Sequence, residues 1–197
     1  MPVMKLSVVL WASLAFLLLA CSESFTDSRD GQSYDVVKIG GLMWMAENLN
    51  FETAGSFCPE GDSRNCKRLG RLYSWAEARS VCPDGWRLPT KEDFESLVAA
   101  QSSSQPRAGA ALKASDGWFK KGNGTDDFGF NALPAGYRSV DGKFDDIGGY
   151  AYFWSATEDS ENPESNAYYL FLSFSSDAAS INAFAKEDYR SVRCVKP

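Results

Sequence analysis

Cys82-Pro83-Asp84-Gly85-Trp86-Arg87-Leu88-Pro89-Thr90 ends one helical segment, starts another and leaves a cysteine at the junction. Pro83 and Gly85 stop a helix, so the pattern carried by Ala76, Ala78 and Val81 runs no further than Cys82. Ser74 and Glu77 mark its start with the Ser-x-x-Glu spacing of a capping box. Beyond the junction Thr90 is placed to cap a second helix, with Phe94, Leu97 and Val98 on one face and Lys91, Glu92 and Glu95 toward water.

Upstream, Tyr34-Asp35-Val36-Val37-Lys38-Ile39 and Leu42-Met43-Trp44-Met45 flank Gly40-Gly41, which is the signal of a β-hairpin. The polar stretch from Asn50 to Leu69 reads as a loop. Downstream, residues 102–127 read as irregular, interrupted by one helical turn over Ala110 to Ala114. Four strand-like runs follow: Tyr150 to Thr157, Ala167 to Phe174, Ala179 to Ala185 and Ser191 to Val195. Two short helices followed by a run of antiparallel strands define an α+β chain, not the βαβ alternation of a dinucleotide-binding or barrel enzyme. Trp44, Trp75, Trp86 and Phe94 are expected in the core.

Residues 1–20 carry Lys5 and then an apolar run ending at Ala20, too short to span a bilayer, which is the pattern of a secretory signal. Leu18-Leu19-Ala20-Cys21 resembles the bacterial lipobox. That resemblance implies that Cys21 becomes the new amino terminus, carries lipid on its thiol and anchors the chain in the cell envelope. Ser22, rather than Asp, in the next position implies the outer membrane. Residues 21–33, polar and charged, are expected to form a tether, and residues 34–197 a single domain.

Without residues 1–20 the chain has 177 residues, with 19 basic against 26 acidic side chains, a balance of −7. Nucleic acid is a poor partner for such a surface. The absence of histidine excludes Ser-His-Asp, Cys-His and HExxH chemistry. Four cysteines remain for an oxidising compartment. Cys58 and Cys66 bracket a short Gly/Asp/Ser/Asn loop and are paired locally, which leaves Cys82 for Cys194. That second bridge closes a loop worth about 4 to 5 kcal/mol of chain entropy.

Six segments, taken in order, carry a resemblance. They are Trp44-Met45-Ala46-Glu47-Asn48-Leu49, Gly70-Arg71-Leu72-Tyr73-Ser74-Trp75, Cys82 through Thr90, Gly129 through Arg138, Phe153-Trp154-Ser155-Ala156-Thr157 and Ser191-Val192-Arg193-Cys194-Val195. Together they resemble the major paralogous domain of Fibrobacter succinogenes, a family of secreted proteins and lipoproteins without an assigned biochemical activity. More distantly, the Arg-Leu-Pro-Thr segment and the arginine-cysteine ending are similar to the C-type lectin-like fold, including formylglycine-generating domains. That likeness implies a disulfide-stapled domain of two short helices, antiparallel sheets and long loops. It also implies a bridge from the first helix to the last strand, for which Cys82 and Cys194 are suited.

The chemistry of those distant relatives is not written in this chain. The calcium loop and the Trp-Asn-Asp strand of sugar-binding lectins are missing, and Glu161-Asn162-Pro163-Glu164 has a different order. Asp126, Asp127, Asp145, Asp146, Asp159 and Glu161 offer oxygens to a hard cation such as calcium, but read first as solvated loop carboxylates. Glu92, Asp93 and Glu95 read as helix capping and a wet helix face, not as a glycosidase pair. Asn123-Gly124-Thr125 reads as a turn. Trp118, Tyr137, Tyr150, Tyr152 and Trp154 are the candidate ligand-binding residues, because flat aromatic faces suit the apolar faces of sugar rings.

The resulting expectation is a non-enzymatic envelope lipoprotein that recognises an extracellular polysaccharide or a protein partner, with no cofactor beyond a conceivable calcium ion. The alternatives are a structural envelope protein without a small ligand and an enzyme of the formylglycine-generating type. Metabolic labelling with palmitate tests the anchor: the wild-type chain is expected to take up label, and Cys21→Ser to lose it.

Overall fold

A computed structural model describes residues 23–100 and 107–197. The signal segment and Cys21 lie outside the described residues. Among the described residues, eleven strands form two sheets and four α-helices accompany them.

The first sheet has the order β1 (Glu23–Thr26), β2 (Ser33–Ile39), β3 (Leu42–Met45), β11 (Val195–Lys196), all antiparallel. The β2–β3 hairpin turns at Gly40 and Gly41, both with positive φ, as expected for this tight connection. Residues 23–33 are not the tether expected from their polarity. Phe25 packs on the Trp86 ring at 5.1 Å, and Glu23–Thr26 pairs in register with Ser33–Val36. The fully buried Asp27 carboxylate is held by the Arg29 guanidinium, which also donates to the Val81 carbonyl. A short polar hairpin is stable here because its buried carboxylate is paired with Arg29 and its one large apolar side chain packs on Trp86.

Three helices frame the middle of the chain. The first, α1 (Ser63–Leu69), lies inside the expected loop; Asp62 caps it by accepting from the Arg64 N–H, and only Cys66 and Leu69 are buried. Its polar sequence carries too little hydrophobic periodicity to be read as a helix. The strand β4 (Leu72–Ser74) leads into α2 (Trp75–Ala78), capped by Ser74 as its sequence predicts. That helix stops four residues short of Cys82, because Val81 turns into the core and Cys82 reaches away to Cys194. In α3 (Lys91–Ala100), Thr90 and Asp93 cap each other's backbone N–H groups, and Phe94 and Leu97 are buried. The helical turn expected near Ala110 is α4 (Ala108–Leu112).

The second sheet runs β6 (Phe144–Asp145), β5 (Tyr137–Arg138), β10 (Tyr189–Ser191), β7 (Tyr150–Glu158), β8 (Asn166–Ser173), β9 (Ala179–Ala185), with β4 also paired to β10. Only β10 and β7 run parallel within it. Alternate residues of β7 enter two separate cores. Phe153 joins Trp44, Phe94, Phe130, Leu170 and Leu172 beneath α3, whereas Trp154 joins Tyr34, Tyr73, Trp75, Trp86 and Val192. Trp44, Trp75, Trp86 and Phe94 are all buried, as expected.

The expected strand from Ser191 to Val195 is broken: β10 belongs to the second sheet and β11 to the first, and residues 192–194 cross between them. Arg193 occupies this crossing, fully buried, with no carboxylate in contact. It donates to Asn48 Oδ1 at 2.8 Å, to the Met45 carbonyl at 3.1 Å, to the Asn131 carbonyl at 2.8 Å and to the Phe130 carbonyl. Burial pushes its guanidinium down to about 9, with Glu47 and Asp126 opposing that shift, so it remains charged at neutral pH. Beside it, Cys194 closes the bridge to Cys82, and Cys58 pairs with Cys66, both as expected.

Replacing Arg193 by Lys removes the planar fork and leaves buried acceptors unmet, each worth about 1–3 kcal/mol. Arg193→Lys is therefore expected to lower the unfolding free energy by roughly 3 kcal/mol, read from denaturant titration of the oxidised protein.

Candidate functional site: an aromatic sheet face

The half of the second sheet that carries Trp154 and Tyr169 is covered by α2 through Trp75, whose indole donates to the Ser155 carbonyl at 2.8 Å. Along the same face toward the start of β7, that cover ends. Tyr150 and Tyr152 on β7, Phe171 on β8 and Tyr137 on β5 are each half-buried there. Tyr152 pairs directly across the strands with Phe171, and the ring centroids are 5.3 Å apart. Tyr150 stacks on Phe171 at 5.6 Å with planes 19° apart, Tyr137 stands edge-on to Tyr152 at 5.4 Å, and Phe174 meets Tyr150 at 5.7 Å. Aromatic contacts of this kind hold the rings in fixed orientations, each pair contributing about 0.5–1.5 kcal/mol.

Two exposed phenylalanines, each 55 % accessible, stand near this face. Phe184 on β9 lies near the Arg190 guanidinium, and Phe119 lies against Gly148, close to the turn that precedes β7. Gly148 has φ +79°, and a Cβ there would sit 2.4 Å from the Phe119 ring, so both conformation and space demand glycine.

Beneath the rings lies Arg190, almost fully buried, with Tyr137, Tyr152, Trp154, Tyr169 and Phe184 within 4.4–5.8 Å of its guanidinium carbon. Its partner is the buried Asp188 at 3.2 Å, while Nε and Nη1 have no hydrogen-bond acceptor. The cation is held by π faces in place of lone pairs, and burial pushes its ionisation downward. Polar groups also reach the face. The Tyr152 hydroxyl donates to Asp146 Oδ2 at 2.6 Å, and Asn182 is exposed on β9 opposite Tyr169. Burial, aided by that bond to Asp146, pushes the Tyr152 phenol far up.

Of the five expected ligand-binding residues, Tyr137, Tyr150 and Tyr152 therefore share one surface. Trp118 and Trp154 do not join them as contact residues, since both are buried. The Trp118 indole donates to the Ala132 carbonyl at 3.1 Å and is capped by the buried Lys113 ammonium at 5.3 Å. The Trp154 indole donates to the Tyr73 carbonyl at 2.9 Å. Each satisfies its one polar atom internally, which frees the rest of the indole for the core. Phe171, Phe174, Phe184 and Arg190 were missed. The alternation Tyr169-Leu170-Phe171 beside Tyr152-Phe153-Trp154 contained the signal for Phe171, but only strand register shows which residues become neighbours.

Several of the acidic candidates are occupied locally. Asp93 caps α3 and pairs with Arg87, Lys91 pairs with Glu95, and Asp159 accepts from the Glu161 N–H and the Asn162 amide. Asn123 forms a turn by accepting the Trp118 N–H, in agreement with its reading. Asp126 lies apart from the aromatic face, on a recess of about 460 Å³ beside β2, where burial raises its carboxyl and the Asn131 N–H is its donor. Among the described residues no three histidine, cysteine or acidic side chains converge as a metal site would require.

The geometry defines a disulfide-stapled α+β domain with one open aromatic sheet face. Residues 37–196 match the Fibrobacter succinogenes major domain, and the chain belongs to that family. No curated protein and no solved structure matches it.

The buried phenols make the fold sensitive to alkali. An unfolded tyrosine ionises at about 10; burial holds Tyr34 at about 12 in the fold and moves Tyr73, Tyr152 and Tyr169 upward. The folded chain thus retains protons that the unfolded chain releases. Stability from these groups is complete below pH of about 10 and declines as pH rises through the folded values. Denaturation midpoints measured along that range should fall, and Tyr152→Phe should fall less steeply.

Proposed function

We propose that this protein is a non-enzymatic, lipid-anchored envelope protein whose aromatic sheet face recognises an extracellular polysaccharide. One observation carries the reading: Tyr137, Tyr150, Tyr152 and Phe171 form a contiguous, half-exposed ring surface held rigid by its own stacking and by the sheet beneath. Rings locked in advance lose little conformational freedom on binding, which favours contact with a polymer. The hydroxyl of Tyr152, the Asp146 carboxylate and the exposed Asn182 supply hydrogen-bonding groups at the margins, where sugar hydroxyls would lie.

The non-enzymatic part is supported by the cysteines. All four in the described residues are paired in disulfides, so none offers the thiolate that chemistry of the formylglycine-generating type would need. The C-type lectin-like arrangement is supported by the bridge from the segment after α2 to the residue before the last strand, and by the loop-rich middle of the chain. Export and outer-membrane anchoring rest on the lipobox-like Leu18 to Cys21.

The test uses residues 22–197, which contain every described element and both disulfides, against a panel of plant polysaccharides including cellulose, first with calcium and then with chelator. Saturable binding is expected in both conditions. Tyr150→Ala and Phe171→Ala are each expected to weaken it about tenfold, or about 1.4 kcal/mol. Phe128→Ala removes an exposed aromatic in the 126–129 turn and should leave binding unchanged. Absence of binding to every glycan would favour a scaffold or protein-binding role instead.

A further inference from the structure

The turn from β1 to β2 builds one wall of a cleft. Asp30 accepts the Gln32 backbone N–H at 3.0 Å and its side-chain amide at 2.6 Å, and the same amide donates to the Asn50 carbonyl at 3.1 Å. Gln32 then accepts from Asn50 Nδ2 through its Oε1 at 2.8 Å. This chain of bonds settles which end of each amide is which, and leaves Asn50 Oδ1 as an acceptor without a donor. The other wall is α1, which buries only Cys66 and Leu69 and is stapled by the Cys58–Cys66 bridge. Between the walls lies a recess of about 450 Å³, adjoined by a narrower one of about 170 Å³; Gln32, Asn50, Cys66 and Lys67 line both. The wider recess has the size of a small-molecule site.

Buried polar atoms without a partner are few among the described residues, and two of them belong to this cleft. They are Asn50 Oδ1 and Arg71 Nε, on residues that both line the wider recess. The others are Trp44 Nε1, in the core beneath α3, and the two Arg190 atoms held by π faces. The buried Tyr34 hydroxyl, on the narrower recess, accepts the Asn50 backbone N–H at 3.1 Å, and among the described residues its own proton has no acceptor. An unmet acceptor beside unmet donors suits hydroxyl groups, which accept and donate at once. Charge points the same way. The wider recess sets Asp30 and Glu52 against Lys67 and Arg71, so its charges cancel, and Arg71 already pairs with Glu52 at 2.8 Å. Phe51 adds an aromatic ring to the lining.

We propose that this cleft binds one neutral sugar residue, whose hydroxyls donate to Asn50 and accept from Arg71 and Tyr34. The two unmet atoms are shielded from water, and local rotation of the partly exposed Asn50 and Arg71 side chains brings them to the ligand. No protein group competes for them, so binding relieves the penalty of unmet buried groups. The cleft shares no residue with the aromatic face, and the assignment does not rest on the polysaccharide reading.

Nitrogen–proton NMR of residues 22–197, with both disulfides formed, tests it by titration with D-glucose, D-galactose and D-xylose, and with D-glucuronate as the charged comparison. At least one neutral sugar is expected to shift the Asn50 side-chain amide and the Arg71 Nε–H saturably. Arg71→Lys keeps the charge beside Glu52 but loses Nε–H, and Tyr34→Phe loses only the hydroxyl. Each should weaken that sugar about tenfold while near-ultraviolet circular dichroism shows the fold intact. Tyr150→Ala, on the aromatic face, should leave it unchanged, so the two sites fail separately. No saturable shift with any neutral sugar would mean that water alone fills the cleft, and would overturn the proposal. So would a preference for glucuronate, an affinity that either cleft substitution leaves untouched, or an affinity lost with Tyr150→Ala.

Discussion

The two sheets are held in their relative positions by one buried cation. Arg193 sits where the chain leaves β10 and enters β11, and its guanidinium ties the end of the β2–β3 hairpin, the Asn48 side chain and the 130–131 turn to that crossing. Asn48 passes the connection on, donating to the Leu69 carbonyl and the Ser191 hydroxyl. A fork of five N–H donors suits a place where several carbonyls converge from different segments, which no apolar side chain could satisfy. The neighbouring disulfide adds a covalent tie at the same point, and the backbone of β11 pairs both with Trp44 on β3 and with Arg87. Removal of the arginine would affect both cores, because both meet the crossing through Val192, Cys194 and Val195.

From that crossing the layout of the candidate site follows. β10 enters the second sheet parallel to β7 and places Arg190 under the tyrosines that β5 and β7 supply. One face of β7 is sealed by α3 and the hairpin along its length. The other face is sealed by Trp75 only at its far end, because α2 is a single turn long. The open end must still carry large side chains to pack against Arg190, and it does so with aromatic rings that stay half accessible. The surface is thus a by-product of a short helix over a long strand, and the same geometry makes it available to a ligand.

Much of this was legible in the chain. The hairpin at Gly40-Gly41, the capping by Ser74 and Thr90, three of the four late strands, the core tryptophans and both disulfides follow from local periodicity, turn chemistry and cysteine spacing. The misreadings share a cause. β1 and its turn looked like a tether because Asp27 and Arg29 are polar, yet their pairing lets a polar segment be buried. α1 looked like a loop because it buries only two side chains. Trp118 and Trp154 looked like ligand contacts because an indole serves a core and a binding face equally well, and only the location of a free carbonyl decides between them.

The amino-acid sequence by itself determined the hairpin, the two capped helices, three of the late strands, the disulfide pairing, the acidic, histidine-free chemistry and membership of the Fibrobacter succinogenes major domain family. These depend on residues close in the chain or on the identity of side chains. Tertiary structure alone decided that Tyr137, Tyr150, Tyr152 and Phe171 meet, that Arg190 lies beneath them and that Arg193 spans the two sheets. Each of these is a contact between distant strands. It depends on strand order and register, in which a shift of one residue would turn every side chain to the opposite face.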